Sequence, residues 1–214
     1  MLDSFCRITI SRFYRDKGLY DVLAGRVIPG LAERVQQSGN RELRIWSAGC
    51  GSGEEPYSLS LLWSTLLQQR FPVVSLHILA TDIDMALLER AQTACYPYSS
   101  LKDLPAGWLE SAFSESSGCY CLRPAYKLPV LFAEHDIRES VPATGLQLIL
   151  CRNLVYTYYD KNLQHQISQG LVAALQPGGA LVIGSHEVLP DDVTGFDAIP
   201  DCPAIYIKQE YKSL

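Results

Sequence analysis

The sequence predicts an α/β fold, a mostly parallel twisted sheet with helices on both faces. Short apolar runs rich in β-formers alternate with segments of helical periodicity along most of the 214 residues. The stretch IWSAGCGSGEEPYSLSLLW, residues 45–63, passes from a buried strand through three glycines within five residues into an apolar helix. Two further apolar runs, ILATDID and LFAEHDI, end in acids. The length suits one domain over residues 1–214, since a single core of that size buries roughly 70% of the unfolded chain's surface.

In chain order, residues 1–40 read as an N-terminal helical segment around DKGLYDVLAGRVIPGLAERVQQ, where Pro29 is expected to break or kink the run. LRIWSAGC is the first strand. EEPYSLSLLWSTLLQQR follows as a helix, with Pro56 in its first turn and Leu59, Leu62, Trp63 and Leu66 on one stripe. SLHILATDID is the second strand, with a helix over 84–94 behind it. Residues 96–127 exceed an ordinary connection and are the place for a small substrate-reading insert; LPAGWLESAF reads as a short helix and GCYCLRPAY as extended. LPVLFAEHDI is the third strand, and LQLILCRN the fourth, bounded by Pro142 and Gly145. A helix over 161–175 is stopped by QPGG before a fifth strand, ALVIGSHEV. GFDAIPDCPAIYIKQE gives one or two edge strands.

An apolar fraction of 48% is ordinary for a soluble protein, and no window offers the roughly 20 uninterrupted apolar residues of a membrane helix. MLDSFCRITISRFYRD lacks the basic start and long apolar run of a secretory signal, so the expected location is the cytoplasm, without membrane insertion. Seven cysteines, Cys6, Cys50, Cys95, Cys119, Cys121, Cys151 and Cys202, show no C-x-x-C spacing. Neither a zinc site nor a disulfide framework is expected, and most read as small buried hydrophobes. A net charge of −5 without a long Lys/Arg run argues against a nucleic-acid partner. No heptads or long exposed apolar stripe indicate an oligomeric state.

Gly49, Gly51 and Gly53 follow the first strand at alternating positions, where backbone must turn with positive φ or approach a ligand closely. A dinucleotide fold would place phosphate at the following helix start, where acids are unfavourable. Glu54 and Glu55 instead suit a cationic group such as an α-amino group or a sulfonium, and S-adenosylmethionine carries both. On the alternative reading the glycines only make a tight turn and the glutamates satisfy the helix N-terminus. Asp82, at the end of the second strand, suits both ribose hydroxyls as a bidentate acceptor. Asp84 reads better as the cap of the next helix. Asp136 can accept from an adenine amino group with Ile137 packed on the ring, or can cap a turn.

These residues resemble the chemotaxis receptor glutamate methyltransferases, the CheR family. WSAGCGSGEEPYSLSLL is similar to that family's signature almost letter for letter, and GEEPYS is its most specific part. ILATDID with LLERAQTACY, LILCRN with YYD, and LQPGGALVIGSHEVL resemble later motifs in the same order, over roughly residues 7–190. RITISRFYRD resembles the family's opening motif N-x-T-x-F-F-R-D. The resemblance implies a Rossmann-like class I fold, S-adenosylmethionine as cofactor with S-adenosylhomocysteine as product, and methyl transfer to a protein carboxylate. It places Thr9 where the family has a cofactor-contacting Asn, Ser11 where it has Thr, and Arg15 at the active-site arginine. Glu54 matches the acid of the methionine end, Asp82 the ribose acid, and Asp136 with Ile137 the adenine contacts. Ala48 and Gly49 supply backbone contacts, and Arg152, Asn153 and Tyr158 line the methyl-transfer face. Family members carry a helical domain with a basic docking face before the opening motif. Only a few residues precede it here, so a short single-domain member is expected.

An ionised carboxylate, with a pKa of about 4.3, is a competent nucleophile at neutral pH without a general base. Arg15 suits a clamp on the acceptor carboxylate and Tyr158 a hydrogen-bond donor beside it. The alternative for Arg15 is an ion pair with Asp16 or Glu33. CRNLVYTYYD is one residue longer than the family's C-R-N-x-x-I-Y-F-D, so Tyr156 and Tyr158 both remain candidates. His135 is given no acid/base role, and His186, in a motif that resembles the family's G-H-S-E with its middle letters exchanged, can line the pocket but reads better as structural. The acceptor is expected to be an acidic protein or a small-molecule carboxylate. The rival readings are a small-molecule or nitrogen acceptor on the same fold, and a cofactor-binding module without turnover.

Overall fold

The computed structural model describes residues 11–210. The first helical run comprises α1 (Lys17–Val22), a π-helical turn over Leu23–Val27, and α2 (Ile28–Gln37). Pro29 does not break it: the Ile28 N–H donates to Leu23 O, five residues back, so the helix widens by one residue just before the proline that has no N–H to give. Strand β1 (Glu42–Ala48) leads to α3 (Glu54–Leu62), which also widens into a π turn at Trp63–Leu67. The change of phase turns Leu66 out, 46% exposed, and removes it from the predicted stripe, while Leu59, Leu62 and Trp63 are buried.

Strand β2 (Ser75–Asp82) and α4 (Met85–Thr93) follow. The region after them folds as β3 (Cys95–Tyr96), α5 (Tyr98–Leu101), α6 (Trp108–Ala112), β4 (Phe113–Ser116), β5 (Cys119–Leu122) and α7 (Pro124–Lys127). Its three strands form a separate antiparallel sheet in the order β3-β5-β4. The predicted short helix is α6; the predicted extended piece is β5 only to Leu122, because Pro124 starts a helical turn. The main sheet is completed by β6 (Val130–Glu134), β7 (Leu146–Leu150), β8 (Leu175–Val182), β9 (Phe196–Ile199) and β10 (Cys202–Lys208), with α8 (Val155–Tyr158) and α9 (Lys161–Ala174) between β7 and β8.

The seven strands lie in the order β6-β2-β1-β7-β8-β10-β9; the first five are parallel, and β10 runs antiparallel to both its neighbours, β8 and β9. This is the Rossmann-like arrangement expected. β7, central and buried along its whole length, explains why LQLIL has no polar alternation beyond Gln147, whose side chain accepts from the Arg44 N–H. One expectation at the C-terminal end is corrected. QPGG does not precede the fifth strand but lies within it: β8 starts at Leu175, and its register to β7 shifts around Gly178 and Gly179. Of the last two strands only β9 is an edge; β10 is inserted between β8 and β9, with Ile205 fully buried.

The cysteine expectation is also corrected. Cys95 and Cys121 form a disulfide across β3 and β5, Cα to Cα 4.0 Å. They face each other at a non-hydrogen-bonded pair, the backbone bond being made by the flanking Leu122 N–H to Ala94 O, and at such pairs side chains come closest. Linear spacing held no sign of this pairing. Cys50 and Cys151 are buried as expected, Cys119 is exposed and Cys202 half-buried, while Cys6 lies outside the described residues. No helix among the described residues is long and apolar enough to cross a membrane.

The small sheet joins the N-terminal segment to the glycine turn. Phe13 meets Tyr96 and Phe113 edge-on, at ring separations of 4.8 and 5.4 Å, and its N–H donates to Ser100 O. On the other side the Tyr96 hydroxyl donates to Ser52 O at 2.7 Å.

Candidate active site

The chain segments at the carboxyl ends of β1, β2, β6 and β7 surround one cleft, and the N-terminal segment closes over it with Ser11, Arg12, Arg15 and Tyr20. β1 lies between β2 and β7, so chain order reverses beside it, and in open α/β sheets ligands bind at such a point. Ser11, Arg15, Gly49, Asp82, Asp136, Ile137, Asn153 and Tyr158, scattered along the sequence, all line this cleft. Ala48 and Glu54 do not: Ala48 is buried at the end of β1 and Glu54 in the first turn of α3, where Glu55 lines the cleft instead. Thr9 lies outside the described residues.

The glycine turn is shaped by close approach. Gly49 has φ of +69°, a conformation that favours glycine, and a Cβ there would also lie 2.7 Å from Leu154 Cδ2 in the turn after β7. Gly51 donates its N–H to Asp82 Oδ2 at 2.8 Å, and the Asp84 N–H donates to Asp82 Oδ1 at 3.0 Å. Asp82, 8% exposed, is therefore held as a fixed acceptor in the cleft wall. Asp84 takes the capping role, its Oδ1 accepting from the N–H groups of Ala86 and Leu87 at the start of α4.

The structure separates the two glutamates that the sequence pairs. Glu55 accepts from the Ser47 hydroxyl at 2.8 Å and from Arg152 Nη1 at 3.2 Å, so its charge is already matched. Arg152, with its side chain 6% exposed, also pairs with Asp16. Asp16 thus serves Arg152. Glu54 is 4% exposed; Ser11 hydrogen-bonds its carboxyl group, and Oε2 is buried without a partner. Burial raises its pKa above the ordinary 4.5, against the opposing pull of hydrogen bonds and Arg90. A buried carboxylate oxygen left in this way fits a cationic group supplied by a ligand.

Beyond β6, Asp136 lines the cleft but both its oxygens engage Arg138, at 2.9 Å from Nε and 2.6 Å from Nη2, which lowers its pKa. It also accepts from the Arg138 N–H as a turn cap. His135 lines the cleft, its Nε2 3.2 Å from Ser140 Oγ, and burial lowers its pKa, favouring the neutral ring. After β7 the tyrosines divide. The Tyr156 hydroxyl pairs with Ser168 of α9 at 2.9 Å, whereas Tyr158 and Tyr159 line the cleft.

His186 is exposed and outside the cleft wall, so the structural reading does not hold for it. Its neighbour Glu187 was missed: it is 9% exposed and accepts hydrogen bonds from Gly184, Asn153 and Thr157. An acid inside the apolar run ALVIGSHEVL was the available signal.

The description "CheR methyltransferase, SAM binding domain" matches residues 9–203. A "Chemotaxis protein methyltransferase" of Listeria innocua is 36% identical over 190 residues, covering 87% of this chain and 69% of that protein. One of Borreliella burgdorferi is 30% identical over 181 residues, 83% of this chain and 63% of that one. "Chemotaxis protein methyltransferase 1" of Pseudomonas aeruginosa is 29% identical over 198 residues, 90% of this chain and 71% of its own. The chain belongs to the CheR methyltransferase family and is an S-adenosylmethionine-dependent methyltransferase.

Proposed function

We propose that this methyltransferase esterifies a protein carboxylate, a glutamate side chain of a chemotaxis receptor being the acceptor that family membership favours. The observation that carries the reading is that Arg15 and Tyr158, far apart in sequence, line the same cleft as Asp82 and Gly49. When bound, S-adenosylmethionine supplies a methyl group on a sulfonium cation. In this reading Glu54 holds the amino group of its methionine end, Asp82 the ribose hydroxyls, and Ile137 the adenine face, with Asp136 at the ring's edge. Arg15 orients the acceptor carboxylate and Tyr158 donates a hydrogen bond beside it. No proton has to be removed, consistent with a His135 committed to Ser140. The sheet of β3, β4 and β5, against which the N-terminal segment packs, reads the acceptor protein.

Incubation with methyl-tritiated S-adenosylmethionine and receptor-bearing membrane vesicles is expected to label protein, with the label released as methanol by mild base. Base-stable label, or label confined to a small molecule, would overturn the carboxylate reading.

The Glu54 assignment has a pH signature. Burial raises its pKa in the free protein, so the group contributes stability below its ordinary 4.5 that is lost as pH rises through the raised value. A ligand ammonium reverses the preference by favouring the carboxylate. S-adenosylhomocysteine affinity is therefore expected to fall roughly tenfold per pH unit below the Glu54 pKa, and to lose that dependence in Glu54→Gln. Calorimetry between about pH 5 and about pH 8 reads this, and an unchanged profile in the variant would exclude the role.

A further inference from the structure

Beyond β8 the chain reads Ile183, Gly184, Ser185, His186, Glu187 and folds back, the Glu187 N–H donating to Gly184 O at 2.9 Å. This returns a carboxylate to a buried position. Glu187 Oε2 accepts from the N–H of Gly184 at 2.6 Å and of Asn153 at 2.9 Å, and Oε1 accepts from the Thr157 hydroxyl at 2.5 Å. Burying a carboxylate is costly unless its lone pairs are used, and three donors converge on this one.

Two of the donors bracket the turn 153–157. That turn holds a left-handed residue, Asn153, with φ of +53°. Such conformations persist only where the surroundings over-determine them. Gly184 belongs to the same arrangement, since a Cβ there would lie 2.8 Å from Glu187 Oε2 and 2.9 Å from Asn153 Nδ2. The turn carries Asn153 at one end and delivers Tyr158 at the other, both in the cleft wall, whereas Glu187 itself does not line the cleft.

We propose that Glu187 is a positioning residue for methyl transfer: its carboxylate ties the turn 153–157 to the end of β8 and thereby sets where Asn153 and Tyr158 stand. The proposal rests on the reading of those two residues as the methyl-transfer face. Its agent is the hydrogen-bond geometry. In Glu187→Gln the amide oxygen accepts from both N–H groups and the NH2 donates to Thr157 Oγ1, so the hold survives without the charge. In Glu187→Ala it is lost.

The test compares Glu187→Ala, Glu187→Gln, Thr157→Val and Tyr158→Phe in the full chain. The readouts are turnover on receptor-bearing membrane vesicles with tritiated S-adenosylmethionine, thermal unfolding, and calorimetry with S-adenosylhomocysteine. Glu187→Ala is expected to lower kcat about 30-fold or more with a smaller change in cofactor affinity, Glu187→Gln to stay within about fivefold of wild type, and Thr157→Val to lose about three- to tenfold. Full turnover in Glu187→Ala, or equal losses in the Ala and Gln variants, would overturn the proposal. Should Glu187→Ala fail to fold, Thr157→Val decides, and its full turnover would overturn it equally. Tyr158→Phe separates the two claims. If it is wild type while Glu187→Ala is slow, the role of Tyr158 fails and Glu187 acts through Asn153; if it is slow while Glu187→Ala is fast, the positioning proposal alone fails.

Discussion

Asp82→Ala is expected to weaken S-adenosylhomocysteine binding by about 100-fold or more while the chain still folds. Hydrogen bonds to a charged acceptor contribute about 1.5–3 kcal/mol each, and in the proposed reading this carboxylate takes two ribose hydroxyls. Its fixation makes the loss large. The N–H groups of Gly51 and Asp84 hold both oxygens before any ligand arrives, so little ordering is left for binding to do. Removing the carboxylate also strips those two donors of their acceptor, at about 1–3 kcal/mol of stability. Calorimetry and thermal unfolding on the same samples separate the effects; binding within about threefold of wild type would remove Asp82 from the cofactor site.

Arg152→Ala is expected to produce the largest loss of stability, about 3 kcal/mol or more. The Arg152 side chain is 6% exposed and its guanidinium joins three elements: Glu55 at the start of α3, Asp16 in the N-terminal segment, and its own turn after β7. Without it Glu55, with its side chain 15% exposed, keeps only Ser47 as a partner. Breaking a buried pair leaves an uncompensated charge, whereas removing both charges does not. The double variant Arg152→Met with Glu55→Gln is therefore expected to recover much of the loss. Urea midpoints for the three proteins read this, and equal midpoints for wild type and Arg152→Ala would show the network contributes little.

The parallel strands and the helix after the glycine turn were legible because apolar runs and turn residues are local signals. The strand-end acids were legible as positions: Asp82 and Asp136 both line the cleft, while Asp84 takes the helix cap. What escaped was set by neighbours distant in sequence. Glu54 and Glu55 look alike in the string GEEP; one faces a buried position with an unmatched oxygen, and the other meets an arginine about a hundred residues on. The Cys95–Cys121 pair became visible only when two short strands were laid side by side. Leu66 turned outward because a π turn shifts helical phase, which periodicity cannot register. Of the two aligned tyrosine candidates, the extra residue before YYD left the choice open, and Ser168 on α9 takes Tyr156 away from the cleft.

The most direct test of the site is a crystal structure of the chain with S-adenosylhomocysteine. Its amino group is expected within about 3 Å of Glu54 Oε2 and its ribose hydroxyls on Asp82, with the Arg152–Glu55 pair intact. An amino group seated on Glu55 with Arg152 displaced, or a nucleoside bound away from Asp82, would contradict the account.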